Sequence, residues 1–157
     1  MAREIKVRKA TKKDAKEILK LELALIKYGR KFGDIDIKKE HKRAKKEYKK
    51  QFKKERRNWF ILIAEDKKQI IGFNKVYVEQ CYRKKDKYMG LMGNVFVKKK
   101  YRRKGVSGKL INEAINILMK RKIRIFQIYS NKANKKAISR WKKLGFKEKF
   151  IGFEKRI

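Results

Sequence analysis

The sequence predicts one mixed α/β domain, and three observations predict it. Short apolar runs alternate with longer stretches of helical periodicity, in the order β-α-α-β-β-β-α-β-α-β-β. The 157 residues suffice for one domain, spanning 1–157, with a core of its own. Near the centre, the apolar run Val95-Phe96-Val97 enters a basic turn that opens an amphipathic helix.

The first strand is Ile5 to Arg8. Thr11 then caps a helix, with Asp14 three residues on in the manner of a capping box. Ile18, Leu21, Leu25 and Tyr28 give that helix one apolar face. Tyr28 to Ile37 is a loop with Gly29 and Gly33. Lys38 to Arg57 is a second helix, with His41, Ala44, Tyr48 and Phe52 as a narrow stripe; its remaining surface carries 12 Lys/Arg and three Glu. His41, the one histidine, reads as packing.

Trp59 to Ala64 is a buried strand, and Glu65 to Gln69 a tight turn. Ile70 to Cys81 is the hairpin partner, with Gly72 marking a bulge or a close contact. A polar stretch, Tyr82 to Lys87, leads to the strand Tyr88 to Val97. The helix from Gly105 to about Lys120 turns Leu110, Ile111, Ala114, Ile115 and Leu118 inward. Ile123 to Tyr129 is a strand and Asn134 to Leu144 a short helix. Gly145-Phe146 turns into a last strand pair, Lys147 to Phe150 and Phe153 to Arg156.

The turn Arg102-Arg103-Lys104-Gly105-Val106-Ser107-Gly108 is the chemically informative segment. Small residues let a phosphate approach the backbone. Several N–H groups then point outward at the start of a helix whose dipole favours an anion. The segment lacks the GxxxxGK[ST] of a P-loop and the GxGxxG of a dinucleotide fold.

Charge is the unusual quantity: 51 Lys plus Arg against 16 acids, net +35. A field of that sign attracts nucleic acid, ribosomes and other polyanions and repels polyamines. A solvated cationic surface is the equal alternative. With no groove-reading motif, binding to nucleic acid would go by shape and charge. Cys81 alone forms no internal disulfide, which fits a reducing compartment. No apolar run reaches transmembrane length and the N-terminus has no hydrophobic signal core, so no membrane partner and a cytoplasmic location are expected. No metal site is expected.

Two motifs in order carry a family resemblance. Arg102-x-x-Gly105-x-Ser107 resembles the Arg/Gln-x-x-Gly-x-Gly/Ala loop of the GNAT family of acetyl-CoA-dependent N-acetyltransferases, with Ser107 where Gly or Ala is usual. Asn134-x-x-Ala137-x-x-x-Trp141-x-x-x-Gly145-Phe146 resembles that family's Asn-x-x-Ala-x-x-x-Tyr-x-x-x-Gly-Phe. Ile61 to Phe73 looks like its second and third strands, so the likeness spans about Ile5 to Arg156. The resemblance implies a splayed mixed sheet of about seven strands flanked by about four helices. It implies acetyl-CoA as cosubstrate. Phe96 and Val97 backbone groups would hold the pantetheine arm and thioester carbonyl, and Arg102, Arg103, Lys104, Gly105, Val106, Ser107 and Gly108 the pyrophosphate. Asn134 would contact the pantetheine arm, serve as an ordinary helix N-cap, or do both.

Two positions depart from the family pattern. Trp141 stands where many members have a proton-donating Tyr, and Gly93 where many have a Glu base. Glu79 and Tyr129 are candidate substitutes, weighed against structural roles. The reading is thus an N-acetyltransferase that acts on a primary amine. The amine belongs to a small molecule or protein, or sits on RNA or a ribosome. The alternative is a basic RNA- or ribosome-binding protein on the same scaffold. Acceptor choice would fall to Tyr28 to Ile37 and Tyr82 to Lys87, in a monomer or homodimer.

Overall fold

A computed structural model describes residues 4–33, 35–52 and 58–155. Its elements are β1 (Lys6–Lys9), α1 (Ala15–Gly29), α2 (Ile37–Gln51), β2 (Trp59–Asp66), β3 (Gln69–Arg83), β4 (Asp86–Val97), α3 (Val106–Lys120), β5 (Phe126–Ile128) and α4 (Lys135–Lys143). The strands form one sheet in the order β1-β2-β3-β4-β5. Neighbours are antiparallel from β1 to β4, whereas β4 and β5 are parallel.

The run Trp59-Phe-Ile-Leu-Ile-Ala64 is buried on both faces because strand side chains alternate. Phe60, Leu62 and Ala64 join a core with Leu110, Ile111, Ala114 and Leu118 of α3. Trp59, Ile61 and Ile63 join a second core with Ile18 and Leu21 of α1 and Ala44 and Tyr48 of α2. The sheet is therefore covered by α1 and α2 on one face and by α3 on the other. The apolar stripe expected on the second helix is present, with Ala44 and Tyr48 buried and His41 and Phe52 half-buried. That helix ends at Gln51, and the residues 53–57 of its expected span lie outside the described ones.

Other boundaries moved for identifiable reasons. The β2–β3 turn is only Lys67-Lys68, both at positive φ (48° and 66°), as a two-residue hairpin requires. Gly72 is a close approach: a Cβ there would lie 2.7 Å from the Phe96 carbonyl oxygen. The polar stretch Tyr82 to Lys87, expected as a connection, is instead a hairpin end. β3 runs to Arg83 and β4 starts at Asp86, since backbone pairing does not need apolar side chains.

Among the described residues the sheet has five strands rather than about seven. Residues 146–155 hold no regular secondary structure, and Phe150, Ile151 and Phe153 are exposed. The expected pair Lys147 to Phe150 and Phe153 to Arg156 is thus absent over the described residues, which exclude Arg156. An isolated hairpin is marginal in water, and the neighbouring β5 is only three residues long. β5 itself is shorter than the expected Ile123 to Tyr129.

The start of α1 is pinned to the sheet by a charged node. The Asp14 carboxylate accepts from the Thr11 N–H at 2.7 Å, the reach-back half of the expected capping box. It also accepts from both Arg8 guanidinium nitrogens, at 2.8 and 3.0 Å, while Arg8 donates to Glu65 of β2 at 2.6 Å. The Arg8 hydrogen bond, ahead of burial, which acts the other way, holds the Asp14 carboxyl down at about 2, against an ordinary 3.8. A depressed folded-state pKa means that this stabilisation is complete above the ordinary value and is lost as pH falls through about 2. Stability should therefore decline between about pH 4 and 2. Asp14→Asn should remove that component, at a cost at neutral pH of roughly 1–2 kcal/mol, discounted for the half-exposed Arg8. Denaturant titrations of both proteins across this window check it.

Candidate functional site

The site begins where β4 loses a neighbour. β4 pairs with β5 only at Gly90, Leu91 and Met92. The chain after β5 is drawn away instead: Trp141 Nε1 donates to Ser130 Oγ at 2.7 Å, and Asn131 Nδ2 donates to the Phe32 carbonyl at 2.8 Å. Among the described residues no strand pairs with β4 beyond Met92 on that side. An extra residue around Gly93-Asn94 bulges β4 there, since Asn74 and Val76 of β3 pair with Val95 and Met92.

The Lys98 N–H donates to the Ile71 carbonyl at 2.8 Å, which fixes the alternation of the last residues. By that alternation the Phe96 amide faces β3, while the Val95 and Val97 amides face the open edge. Phe96 and Val97 side chains are buried. Glu17 of α1 accepts from Lys98 Nζ at 3.0 Å, a bond that holds the Glu17 carboxyl below its ordinary range.

The basic turn follows directly. Arg103 and Gly105 both adopt positive φ, 63° and 76°, and Gly105 is the residue before α3. Among the described residues no side chain caps α3, so the amides of its first turn are left for another partner. A Cβ on Gly105 would meet nothing within 4 Å, so its outer face is open. The side chains divide the work. Arg102 is exposed but tied to the strand end: its Nε donates to the Val97 carbonyl at 2.9 Å, and its guanidinium lies over the Tyr28 and Phe96 rings. Val106 is a core residue. Lys104 Nζ sits over the Tyr101 ring, and Arg103 is exposed.

α4 closes on the same turn. Arg140 Nε donates to Ser107 Oγ at 3.1 Å, and a Cβ on Gly108 would lie 2.6 Å from the Arg140 guanidinium. Asn134 caps α4, its side chain accepting from the Ala137 N–H at 3.2 Å. At the other end Gly145 takes φ 89°, and the Phe146 and Gly145 amides donate to the Trp141 and Lys142 carbonyls. That is a Schellman termination. The open edge of β4 thus leads through the basic turn to the uncapped start of α3, and Arg140 of α4 closes on that start.

The model of the acetyltransferase (GNAT) family matches residues 25–146. The chain belongs to the GNAT acetyltransferase family.

Solved structures agree in fold. An aminoglycoside N-acetyltransferase, AAC(6')-Iy in complex with CoA, superposes with a TM-score of 0.79 at 16% identity, covering 100% of this chain and 98% of that one. A possible acetyltransferase from Clostridium difficile 630 gives 0.77 at 22%, covering 98% and 97%. A transcriptional regulator from Bacillus halodurans C-125 gives 0.76 at 21%, covering 98% and 100%. No curated protein matches the sequence significantly.

The two departures from the GNAT pattern have structural content. Trp141 spends its N–H on Ser130. A Cβ at Gly93 would lie 2.5 Å from the Tyr77 ring, which stacks on Trp59 at 5.7 Å between centroids. The ring occupies the space a side chain at Gly93 would need. The candidate substitutes do not converge on this region: Glu79 is exposed beside Met89 on the far half of β3, and Tyr129 is 60% exposed with its hydroxyl donating to Gln127.

Four residues that the sequence reading passed over do converge. Lys75 of β3 is 1% exposed and donates to Glu22 of α1 at 2.6 Å and Glu47 of α2 at 3.1 Å. Asn94, at the β4 bulge, donates to the same Glu22 oxygen at 2.9 Å. The signal was present in both periodicities. Lys75 shares a strand face with Phe73 and Tyr77, and Glu22 lies between Ile18 and Leu25 on the apolar face of α1.

Tyr77 explains Gly93, and a double-mutant cycle tests it. Gly93→Ala should cost about 1–3 kcal/mol of stability through overpacking. In a Tyr77→Ala background the same change should cost close to nothing. Thermal unfolding of the four proteins measures the difference, and a penalty that persists without the ring would show that Tyr77 is not its cause.

Proposed function

We propose that residues 1–157 act as one domain that transfers the acetyl group of acetyl-CoA to a primary amine. The observation that carries this reading is the adjacency of two unmet sets of backbone donors. The open edge of β4 suits an extended amide-bearing arm. The uncapped start of α3 suits a pyrophosphate, by its free N–H groups and its dipole. In this reading Val95 and Val97 amides pair with the pantetheine arm and polarise the thioester carbonyl, where fixed dipoles stabilise developing negative charge. The amides of Val106, Ser107 and Gly108 and the backbone at Gly105 hold the pyrophosphate. Arg103 and Lys104 add positive potential, and Arg102 ties the turn to the end of β4. Asn134 fixes the start of α4 and borders the arm.

Transfer forms one N–C bond and breaks one C–S bond. The acceptor nitrogen gives up a proton and the CoA thiolate leaves, to be protonated by solvent. Holding both reactants in line would supply much of the acceleration. Proximity matters more here because Gly93 and Trp141 contribute neither a base nor an acid.

A second reading is a basic RNA- or ribosome-binding protein on this scaffold, and the lysine face of α2 favours it. Every lysine of that helix is exposed. That surface equally suits an acetyltransferase whose acceptor sits on RNA or a ribosome. Release of thiol from acetyl-CoA in the presence of amine acceptors separates enzyme from scaffold.

Gly105→Trp tests the cradle itself. The outward position is open, so the indole should enter the ligand's space at a folding cost near 1–2 kcal/mol for a side chain at positive φ. CoA binding by calorimetry, and thiol release with it, should be lost in a folded protein. Unchanged CoA affinity would refute the assignment.

A further inference from the structure

The hairpin end of β3 and β4 projects beyond the rest of the sheet. β2 pairs with β3 only as far as Tyr77, and the Asn58 carbonyl accepts from the Val78 N–H just beyond. On the other side β5 pairs with β4 no nearer the hairpin than Gly90. From Glu79 to Met89 the two strands are therefore a ribbon with both edges unpaired among the described residues. The ribbon runs roughly 15 Å to its turn at Lys84-Lys85. Neither core includes any of its residues. It is held by its own ladder and presents nearly all of its surface to solvent.

That surface combines rings with charge. Tyr82 is 96% exposed and Tyr88 52%. Between them in sequence stand Arg83, Lys84, Lys85 and Lys87, all exposed, with Asp86 as the one acid. Among the described residues none of these four cations forms an ion pair, and neither tyrosine packs on another ring. The lysine face of α2 offers charge alone, because its tyrosine, Tyr48, is buried.

A ligand that answers both features is flat and apolar on one part and anionic on the next. A nucleotide is both: its base stacks on an aromatic ring while its phosphate meets a cation. Bases inside a duplex have their faces covered, so the ligand is single-stranded. The unpaired edges could instead take up a strand of another protein. Lysine along an edge is a common guard against such addition, and the charge of this ribbon argues against it. Seven residues of β4, roughly 20 Å, separate Tyr88 from Val95. A polynucleotide on the ribbon thus leaves the open edge of β4 and the start of α3 free.

We propose that the β3–β4 ribbon binds single-stranded nucleic acid, with bases stacked on Tyr82 and Tyr88 and phosphates met by Arg83, Lys84, Lys85 and Lys87. The contact tolerates any sequence, since every base has a face to stack. It goes beyond the acetyltransferase reading and does not depend on it. In an enzyme it would tether an acceptor carried on RNA.

Fluorescence anisotropy of labelled oligouridylate, oligothymidylate and an RNA duplex of equal length, titrated with the full-length protein without CoA, tests this. Tyr82→Ala and Tyr88→Ala should each weaken binding of both single strands about 10-fold and leave duplex affinity unchanged. Tyr82→Phe and Tyr88→Phe, which keep the ring, should bind as the native protein does. Both side chains are exposed, so these variants do not threaten the fold. Combining Arg83→Gln, Lys84→Gln, Lys85→Gln and Lys87→Gln should reduce the slope of log affinity against log salt by roughly 2–3. Combining Lys42→Gln, Lys45→Gln, Lys46→Gln and Lys49→Gln on α2 removes the same charge and should change single-strand affinity less. Alanine variants that bind the single strands as tightly as the native protein would overturn the proposal. So would an equal loss for the duplex, or an α2 variant that loses as much as the ribbon variant, which would assign the binding to the overall field of the chain.

Discussion

A strand inside a sheet needs donors and acceptors on both edges, and β4 has them on both edges only as far as Met92. From Gly93 onward no strand among the described residues pairs with the side toward β5, where the Val97 carbonyl accepts from Arg102, and much else in the structure follows from that. β5 stops at Ile128 because Ser130 and Asn131 are held elsewhere, by Trp141 and by the loop after α1. The bulge at Gly93-Asn94 changes the direction of β4 at the same place. The turn that follows leaves a second unmet set of donors, the first amides of α3. Strand edge and helix start are joined by one short turn, and the proposed function gives both sets of donors to one ligand, an extended arm ending in a pyrophosphate.

Electrostatics divides the molecule into two environments. The surface is cationic nearly throughout, and its lysines are solvated or spread along α2. Under α1 and α2 the sign reverses locally, because Glu22, Glu40 and Glu47 gather around Lys75. At physiological ionic strength the surface field fades within about 8 Å. Ion pairs there act at contact range, while the wider field governs what approaches the protein.

The sequence made the glycine turn before α3 and both ends of α4 legible because their constraints are local. Gly105 is needed at positive φ, Asn134 at a helix start and Gly145-Phe146 at a helix end, and each leaves a mark at fixed spacing. The burial of β2 was legible from the unbroken apolar run Trp59 to Ala64. The last strand pair was misread because Lys147 to Arg156 has the composition of a hairpin, whereas strand formation depends on a neighbour that β5 is too short to provide. Tyr82 to Lys87 was misread in the opposite sense, since polar side chains concealed a continuing ladder. Glu22, Lys75 and Asn94 are far apart in sequence, and only the packing of α1 against the sheet brings them into one hydrogen-bonded cluster. Gly93 looked like a missing base; the structure shows it as the space taken by Tyr77.

Residue-resolved amide hydrogen exchange with and without CoA tests the central claim most directly. Binding should slow exchange at Val95 and Val97 on the open edge and at Val106, Ser107 and Gly108 at the start of α3. The Phe96 amide, already turned toward β3, should change little. CoA binding that leaves those edge and helix amides unprotected would contradict the account.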